Sequence, residues 1–202
     1  TYSQVDNDAV NDAYEQGLVW VAGAGNDNDE LGVERNQYPC MFDSAFCVAG
    51  SEYSNSNYGL DYCDVSAPSS GNLIAYMNAT NVSSCYDEFG NSIDNEYIPG
   101  LEEYGFEYCP FRQSSGTSFG TPIVTALMGL LLSHNPDLTN QDLVDIVLTT
   151  IGPQLGGNQP VPGEVNFYDA LSYMYENYMG DVEPLIGDIN QDGIVNILDV
   201  VT

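Results

Sequence analysis

The chain opens on Ser3-x-x-Asp6, a spacing that lets a hydroxyl and a carboxylate meet the free amides of a helix start. Ala9, Val10, Ala13 and Tyr14 then share one helical face until Gly17 stops the run, which predicts a helix of about three turns. Leu18-Val19-Trp20-Val21-Ala22 follows without polar alternation, the pattern of a strand buried on both faces of a parallel sheet. Phe46-Cys47-Val48-Ala49-Gly50 repeats that character, and Leu73-Ile74-Ala75-Tyr76 is a third candidate strand. A helix leading straight into a buried strand predicts an α/β fold, a parallel sheet flanked by helices.

Residues 78–114 are polar, aromatic and glycine-containing with no sustained period, so they read as a long loop or small insertion pinned by Cys85 and Cys109. Two sequons, Asn78-Ala79-Thr80 and Asn81-Val82-Ser83, are no more than this Asn-, Ser- and Thr-rich chain yields by chance, so glycosylation is unsupported. Ile123, Val124, Leu127, Leu130 and Leu131 then make a helical stripe, with Ala126 and Gly129 small enough for close packing. Thr139-x-x-Asp142 caps a second helix carrying Leu143, Ile146 and Val147, and residues 167–178 form a third with Ala170, Leu171 and Met174 inward. Residues 151–163, rich in Gly and Pro, are loop, and the break over residues 179–186 is a linker to a final segment, 187–202.

Composition narrows the partners. The 202 residues carry 2 Lys plus Arg against 30 Asp plus Glu, a net charge of −28 that repels phosphate backbones and anionic membranes. Nucleic acid and membrane partners are therefore not expected, and apolar stretches such as residues 126–132 fall short of the ~20 residues of a bilayer span. A hydrophobic fraction of 43% supplies one sizeable core plus an appendage. The start, Thr1-Tyr2-Ser3-Gln4, has neither an initiator Met nor a basic-then-apolar leader, so the chain reads as a piece of something longer. Five Cys without CxxC pairs and a single His favour disulfides over a zinc box. Cys40 and Cys47 close a short loop, Cys85 and Cys109 a longer one, and Cys63 is left free or paired upstream. That usage predicts a secreted or extracellular protein.

Gly116-Thr117-Ser118-Phe119-Gly120-Thr121-Pro122 sets a serine where a glycine turn enters the stripe helix. Ser118 there is either a helix cap or a nucleophile whose own N–H, at the positive end of the helix dipole, stabilises an oxyanion. Gly23-Ala24-Gly25-Asn26 leaves the Trp20 strand; its small residues admit a substrate backbone, and Asn26 offers an amide N–H to the same oxyanion.

Together these segments resemble the subtilase (subtilisin-like) serine peptidase family, whose G-N turn supplies the oxyanion Asn and whose G-T-S-x-x-x-P segment supplies the nucleophile. The resemblance runs over residues 1–178 and includes Tyr38-Pro39, a Ser66-Ala67-Pro68 strand end, Asn135-Pro136-Asp137-Leu138-Thr139 and Val165-Asn166-Phe167-Tyr168-Asp169-Ala170-Leu171. It implies a subtilisin-like domain whose N-terminal part is missing, a polypeptide substrate, Ser118 as nucleophile and Asn26 as oxyanion donor. It also places Gly23, Ala24 and Gly25 along one wall of the specificity pocket and Gln37, where the family often has Gly, along another, where it would disfavour large aromatic side chains. The family's Asp and His-Gly lie upstream of Thr1. His134 is too far from Ser118 along the same helix to serve as its base, and reads as a helix-end His. Phe119, Gly120 and Ile123 replace the family's usual Met, Ala and His without touching proton transfer.

Asp188-Ile189-Asn190-Gln191-Asp192-Gly193-Ile194-Val195-Asn196-Ile197-Leu198-Asp199 alternates oxygen donors around a glycine, the pattern of a calcium loop. Asp188, Asn190, Asp192, Asn196 and Asp199 would ligate through side chains and Ile194 through its carbonyl. Asp at the last position with Gly187 in front resembles one repeat of a type I dockerin, which implies a cohesin-like partner, although the apolar Ile197-Leu198 occupies positions that are often polar there.

These expectations combine into the C-terminal part of a secreted subtilisin-like endopeptidase with a calcium-binding tail, unable to turn over on its own. Gly116-Thr117-Ser118-Phe119-Gly120 also fits the G-x-S-x-G elbow of α/β-hydrolases, but Arg112-Gln113-Ser114-Ser115 is too polar for the buried strand that elbow needs, and no usable His follows. The non-enzymatic alternative is a calcium-dependent scaffold or adhesion module on a degenerate peptidase fold.

Overall fold

In a computed structural model, residues 2–75, 79–80, 85–87, 89–93, 96–97, 106–154 and 159–179 are described. The apolar runs around Trp20 and Phe46 become β1 (Trp20–Gly23) and β2 (Ala45–Ser51), joined in parallel with Val21 opposite Phe46. The third parallel strand is β3 (Val65–Pro68), with Val48 opposite Val65 and Gly50 opposite Ala67. The order β1-β2-β3 makes β2 central, and its side chains alternate between two cores. Phe46 and Val48 join the main cluster, whereas Cys47 and Ala49 join a smaller one with Ala22, Ala24, Leu31, Cys40, Cys63 and Val161. Burial on both faces explains why this strand is continuously apolar.

Two sequence expectations change here. Leu18 and Trp20, read as buried, are 61% and 50% exposed, because they lie at or just before the start of β1, the edge of the described sheet. The run at 73–76 is not a strand of the parallel sheet. It contributes to β4 (Asn72–Ala75), which pairs antiparallel with a later strand. Four apolar residues in a row mark a strand without fixing its partner's direction.

The stretch read as a long loop or small insertion over 78–114 contains short strands: β5 (Ala79–Thr80), β6 (Cys85–Tyr86), β7 (Ser92–Ile93), β8 (Glu96–Tyr97), β9 (Phe106–Tyr108) and β10 (Phe111–Ser114). They form two small antiparallel sheets, β4-β10-β6-β7 and β5-β9-β8. Two- and three-residue strands are too short for a period-2 pattern to register. The disulfide Cys85–Cys109, with its Cα atoms 5.3 Å apart, ties β6 to the turn before β10, and Cys40–Cys47, 4.8 Å apart, ties β2 to the preceding loop. Cys63 is buried as a free thiol beside Cys47, its pKa pushed up to about 12 by burial and then by the Asp64 charge.

Four helices complete the described fold. Helix α1 (Gln4–Glu15) starts where the Ser3 hydroxyl accepts the Asp6 N–H, and it buries Asn7 and Val10, while Ala9, expected inward, is exposed. Helix α2 (Thr117–His134) crosses all three parallel strands and buries Val124, Leu127, Met128 and Leu131, each worth about 1.5–3 kcal/mol. Ile123 and Leu130 of the expected stripe are only half-buried. Helix α3 (Asn140–Thr149) carries a full Thr139–Asp142 capping box and buries Leu143, Ile146 and Val147. Helix α4 (Phe167–Tyr178) starts at an Asn166 cap and buries Ala170 and Met174, with Leu171 half-buried. In the loop between α3 and α4, Ser66 donates its hydroxyl to Pro162 at 2.9 Å, which fastens the loop to β3. The proposed linker from 180 onward and the whole segment 187–202 lie outside the described residues.

Candidate active site

The carboxyl ends of β1 and β3 meet the first turn of α2, the place where parallel α/β sheets bind ligands. Small residues make the approach possible. A Cβ at Gly23 would lie 2.9 Å from both Thr117 Oγ1 and Thr121 Oγ1, and one at Gly120 would lie 2.6 Å from Ser69 Oγ, so glycine lets helix and strands touch. Gly116, at φ 148°, makes the turn into the helix, and its N–H donates to Ser69 O at 2.8 Å, just past the end of β3.

A reciprocal pair of hydrogen bonds joins β1 to the helix start. Thr117 N–H donates to Asn26 Oδ1 at 2.9 Å, and Gly25 N–H donates to Thr117 Oγ1 at 3.2 Å. Only an oxygen can receive the Thr117 N–H, which fixes the Asn26 carboxamide and leaves its Nδ2, unengaged among the described residues, as a donor at the surface. Thr117 is buried, whereas Asn26 and Ser118 are exposed.

The N-cap is Gly116, with no side-chain capping bond, and Ser118 stands one residue inside the helix. Its reading as a helix cap is therefore overturned. As the second helical residue it has a backbone N–H with no acceptor one turn back, at the positive end of the helix dipole. Pro122 lacks an N–H, so it cannot serve the Ser118 carbonyl in the usual helical pattern. Strand β10 does end just before this turn, but it is antiparallel and its middle residues, Arg112 and Gln113, are exposed. It is not the buried parallel strand of a hydrolase elbow.

Gly23, Gly25, Asn26, Gln37 and Ser118 line one open cleft of about 770 Å³, together with the α2 residues Thr117, Thr121, Pro122, Thr125 and Ala126. Gln37 lies against the Gly25 turn, its Cδ 3.3 Å from where a Cβ on Gly25 would be. Ala24 stands apart: its methyl is fully buried in the smaller core cluster beneath the turn. His134 sits at the other end of the 18-residue α2, about 24 Å away at ~1.5 Å per residue. There its Nδ1 is 2.6 Å from the Tyr175 hydroxyl.

Two contributors escaped the sequence reading. Thr117 is visible within the Gly-Thr-Ser segment, but its two hydrogen bonds to the Asn26 turn are not. Asn57 lies in the polar run 53–59 with no periodicity to single it out, and only the topology brings it beneath the turn. Asp188, Asn190, Asp192, Ile194, Asn196 and Asp199 lie outside the described residues. Among the described residues no group of three or more His, Cys, Asp or Glu side chains is arranged to hold a metal, and no helix is long and apolar enough to cross a membrane.

Residues 1–175 match the model of the Subtilase family, and the chain belongs to that family. It is 32% identical over 146 residues to the minor extracellular protease Epr of Bacillus subtilis, covering 70% of this chain and 17% of that protein. It is 34% identical over 108 residues to alkaline protease 1 of Emericella nidulans, covering 51% of this chain and 25% of that protein. Thermitase of Thermoactinomyces vulgaris is 27% identical over 172 residues, covering 82% of this chain and 48% of its own length. The chain thus spans less than half the length of these relatives. Among solved structures, the psychrophilic subtilisin-like protease Apa1 from Pseudoalteromonas sp. AS-11 superposes with a TM-score of 0.65 at 15% identity, over 90% of this chain and 70% of that one. The fold is accordingly subtilisin-like, a parallel sheet flanked by helices.

Proposed function

We propose that this chain carries the nucleophile and oxyanion half of a secreted serine endopeptidase. The lock between Asn26 Oδ1 and Thr117 N–H is the observation that supports this reading best, because it holds the Asn26 carboxamide by its oxygen in the cleft that Ser118 also lines. Ser118 Oγ would attack the scissile carbonyl carbon while its proton passes to a His from outside residues 1–202. Asn26 Nδ2–H and Ser118 N–H would hold the oxyanion. The C–N bond then breaks, the His returns the proton to the leaving amine, and water releases the acyl group as a carboxylic acid. Gln37 would close one side of the specificity pocket and disfavour Phe or Tyr next to the scissile bond.

Secretion is supported by the two disulfides, which persist in oxidising compartments. The spacing of Asp188, Asn190, Asp192, Ile194, Asn196 and Asp199 supports calcium binding by the tail, with a cohesin-like protein as its partner. Isothermal titration with calcium should show a binding event that Asp188→Ala weakens at least tenfold.

The decisive experiment labels the full-length protein with a fluorophosphonate. Modification should map to Ser118 and be absent in Ser118→Ala. Equal labelling of the two would leave the calcium-dependent scaffold as the better reading.

A further inference from the structure

The Asn26 turn is held from below by one side chain. Asn57 is 0% exposed, and both polar atoms of its side chain, with its backbone N–H, bond to residues 24–29. Its Oδ1 accepts the N–H groups of Asp27 and Asp29, each at 3.0 Å, and its Nδ2 donates to Ala24 O at 2.9 Å. Its backbone N–H donates to Gly25 O at 2.9 Å. Four hydrogen bonds from one residue therefore fix the chain on both sides of Asn26 while leaving the Asn26 side chain outside the clamp.

Contact is close enough to constrain sequence. A Cβ at Gly25, whose φ is +99°, would lie 2.5 Å from Asn57 Nδ2. From above, Thr117 grips the same turn through Gly25 N–H and Asn26 Oδ1. A second strand of support comes from the neighbouring residue, since Asn28 N–H donates to Asn55 O at 3.0 Å.

We propose that Asn57 is a positioning residue for the oxyanion donor: it acts on the reaction only through Asn26. The inference rests on the peptidase reading above. An oxyanion donor works by being in place before charge develops, so loosening its backbone costs transition-state stabilisation while leaving substrate affinity largely intact. Removing such a donor altogether typically costs about 10²–10³ in kcat, and misplacing it should cost part of that.

The test compares kcat and KM of the full-length enzyme and its variants on a peptide substrate. Asn57→Leu keeps the branched skeleton of the side chain and removes all three side-chain bonds, whereas Asn57→Asp keeps the two acceptor bonds. The expected result is a kcat lowered about tenfold or more in Asn57→Leu, a smaller loss in Asn57→Asp, and KM within about twofold of wild type in both. In an Asn26→Ala background the Asn57 substitutions should cause no further loss of kcat, because there is no donor left to position. An unchanged kcat in the single variants, or the same loss in both backgrounds, would overturn the proposal. Should Asn57→Leu fail to fold, Asn57→Asp carries the same comparison. If instead Asn26→Ala alone leaves the rate untouched, it is the peptidase assignment of Asn26 that fails, and Asn57 loses its target.

Discussion

At the scale of single residues, Gly23 shows how little room the site has. Gly23 ends β1 directly under the hydroxyls of Thr117 and Thr121. Gly23→Ala would force a methyl to 2.9 Å from both, push the first turn of α2 outward and pull Thr117 Oγ1 off Gly25 N–H. Overpacking of this kind costs about 1–3 kcal/mol. The expected outcome is a lower denaturation midpoint and slower labelling of Ser118 in the full-length protein; unchanged labelling would mean that the helix start tolerates the shift. Asp64, half-buried between the buried Cys63 and Val65, is governed instead by charge. Its carboxylate accepts Cys47 N–H at 2.7 Å, which favours ionisation, but burial outweighs that bond and raises its pKa. The folded chain therefore holds this proton more tightly than the unfolded chain. Stability from this group is fully present below the ordinary carboxylate pKa and is lost as pH rises through the raised folded value. Asp64→Asn, which keeps an acceptor for Cys47 N–H without the charge, should match wild type in strong acid and exceed its melting temperature at pH 7. Melts across that range check the sign, and a difference independent of pH would show that Asp64 is not desolvated.

At the scale of elements, the helices were the most legible part of the chain. The apolar spacing named Leu143, Ile146 and Val147 of α3 as its inward face, and they are its buried residues. Local chemistry was enough there: Thr139 Oγ1 accepts Asp142 N–H at 3.1 Å, and the Asp142 carboxylate accepts Thr139 N–H at 2.9 Å. Thr139→Ala breaks the reciprocal box and should destabilise the protein by about 1 kcal/mol, read from urea melts with an unchanged slope. Strands were less legible. The end of β3, Ser66-Ala67-Pro68, is marked as a strand end by the family resemblance alone, because a buried Ser66 and the small Ala67 dilute its apolar signal, and Ser66 is tolerated because its hydroxyl donates a hydrogen bond to Pro162 O. Ser118 and Asn26 stood out because each lies at a glycine-marked junction between elements, where local sequence carries the geometry. Asn57 did not, since its importance comes from three backbone groups 28 to 33 residues away that only the folded sheet gathers.

At the scale of the whole molecule, the net charge of −28 becomes a physical force on the fold. Arg35 meets Asp27 at 3.4 Å and also Asp29 on the surface, where such contacts are worth little. With 2 Lys plus Arg against 30 Asp plus Glu, most carboxylates have no cation to pair with. Two unit charges ~10 Å apart in water repel by about 0.4 kcal/mol, and 30 acidic residues in 202 add many such contributions. The unfolded chain spreads these charges apart, so repulsion acts against the folded state. Raising NaCl from about 10 mM to about 0.5 M shortens the screening length from ~30 Å to well under 10 Å and removes most of that cost. The melting temperature at pH 7 should therefore climb with salt. The control is acidity: near the isoelectric point of about 4.1 the net charge is close to zero, so the same salt series should move the melting temperature little. A rise of equal size at both pH values would assign the effect to general salting of apolar surface, and would deny the carboxylates any net role in setting stability.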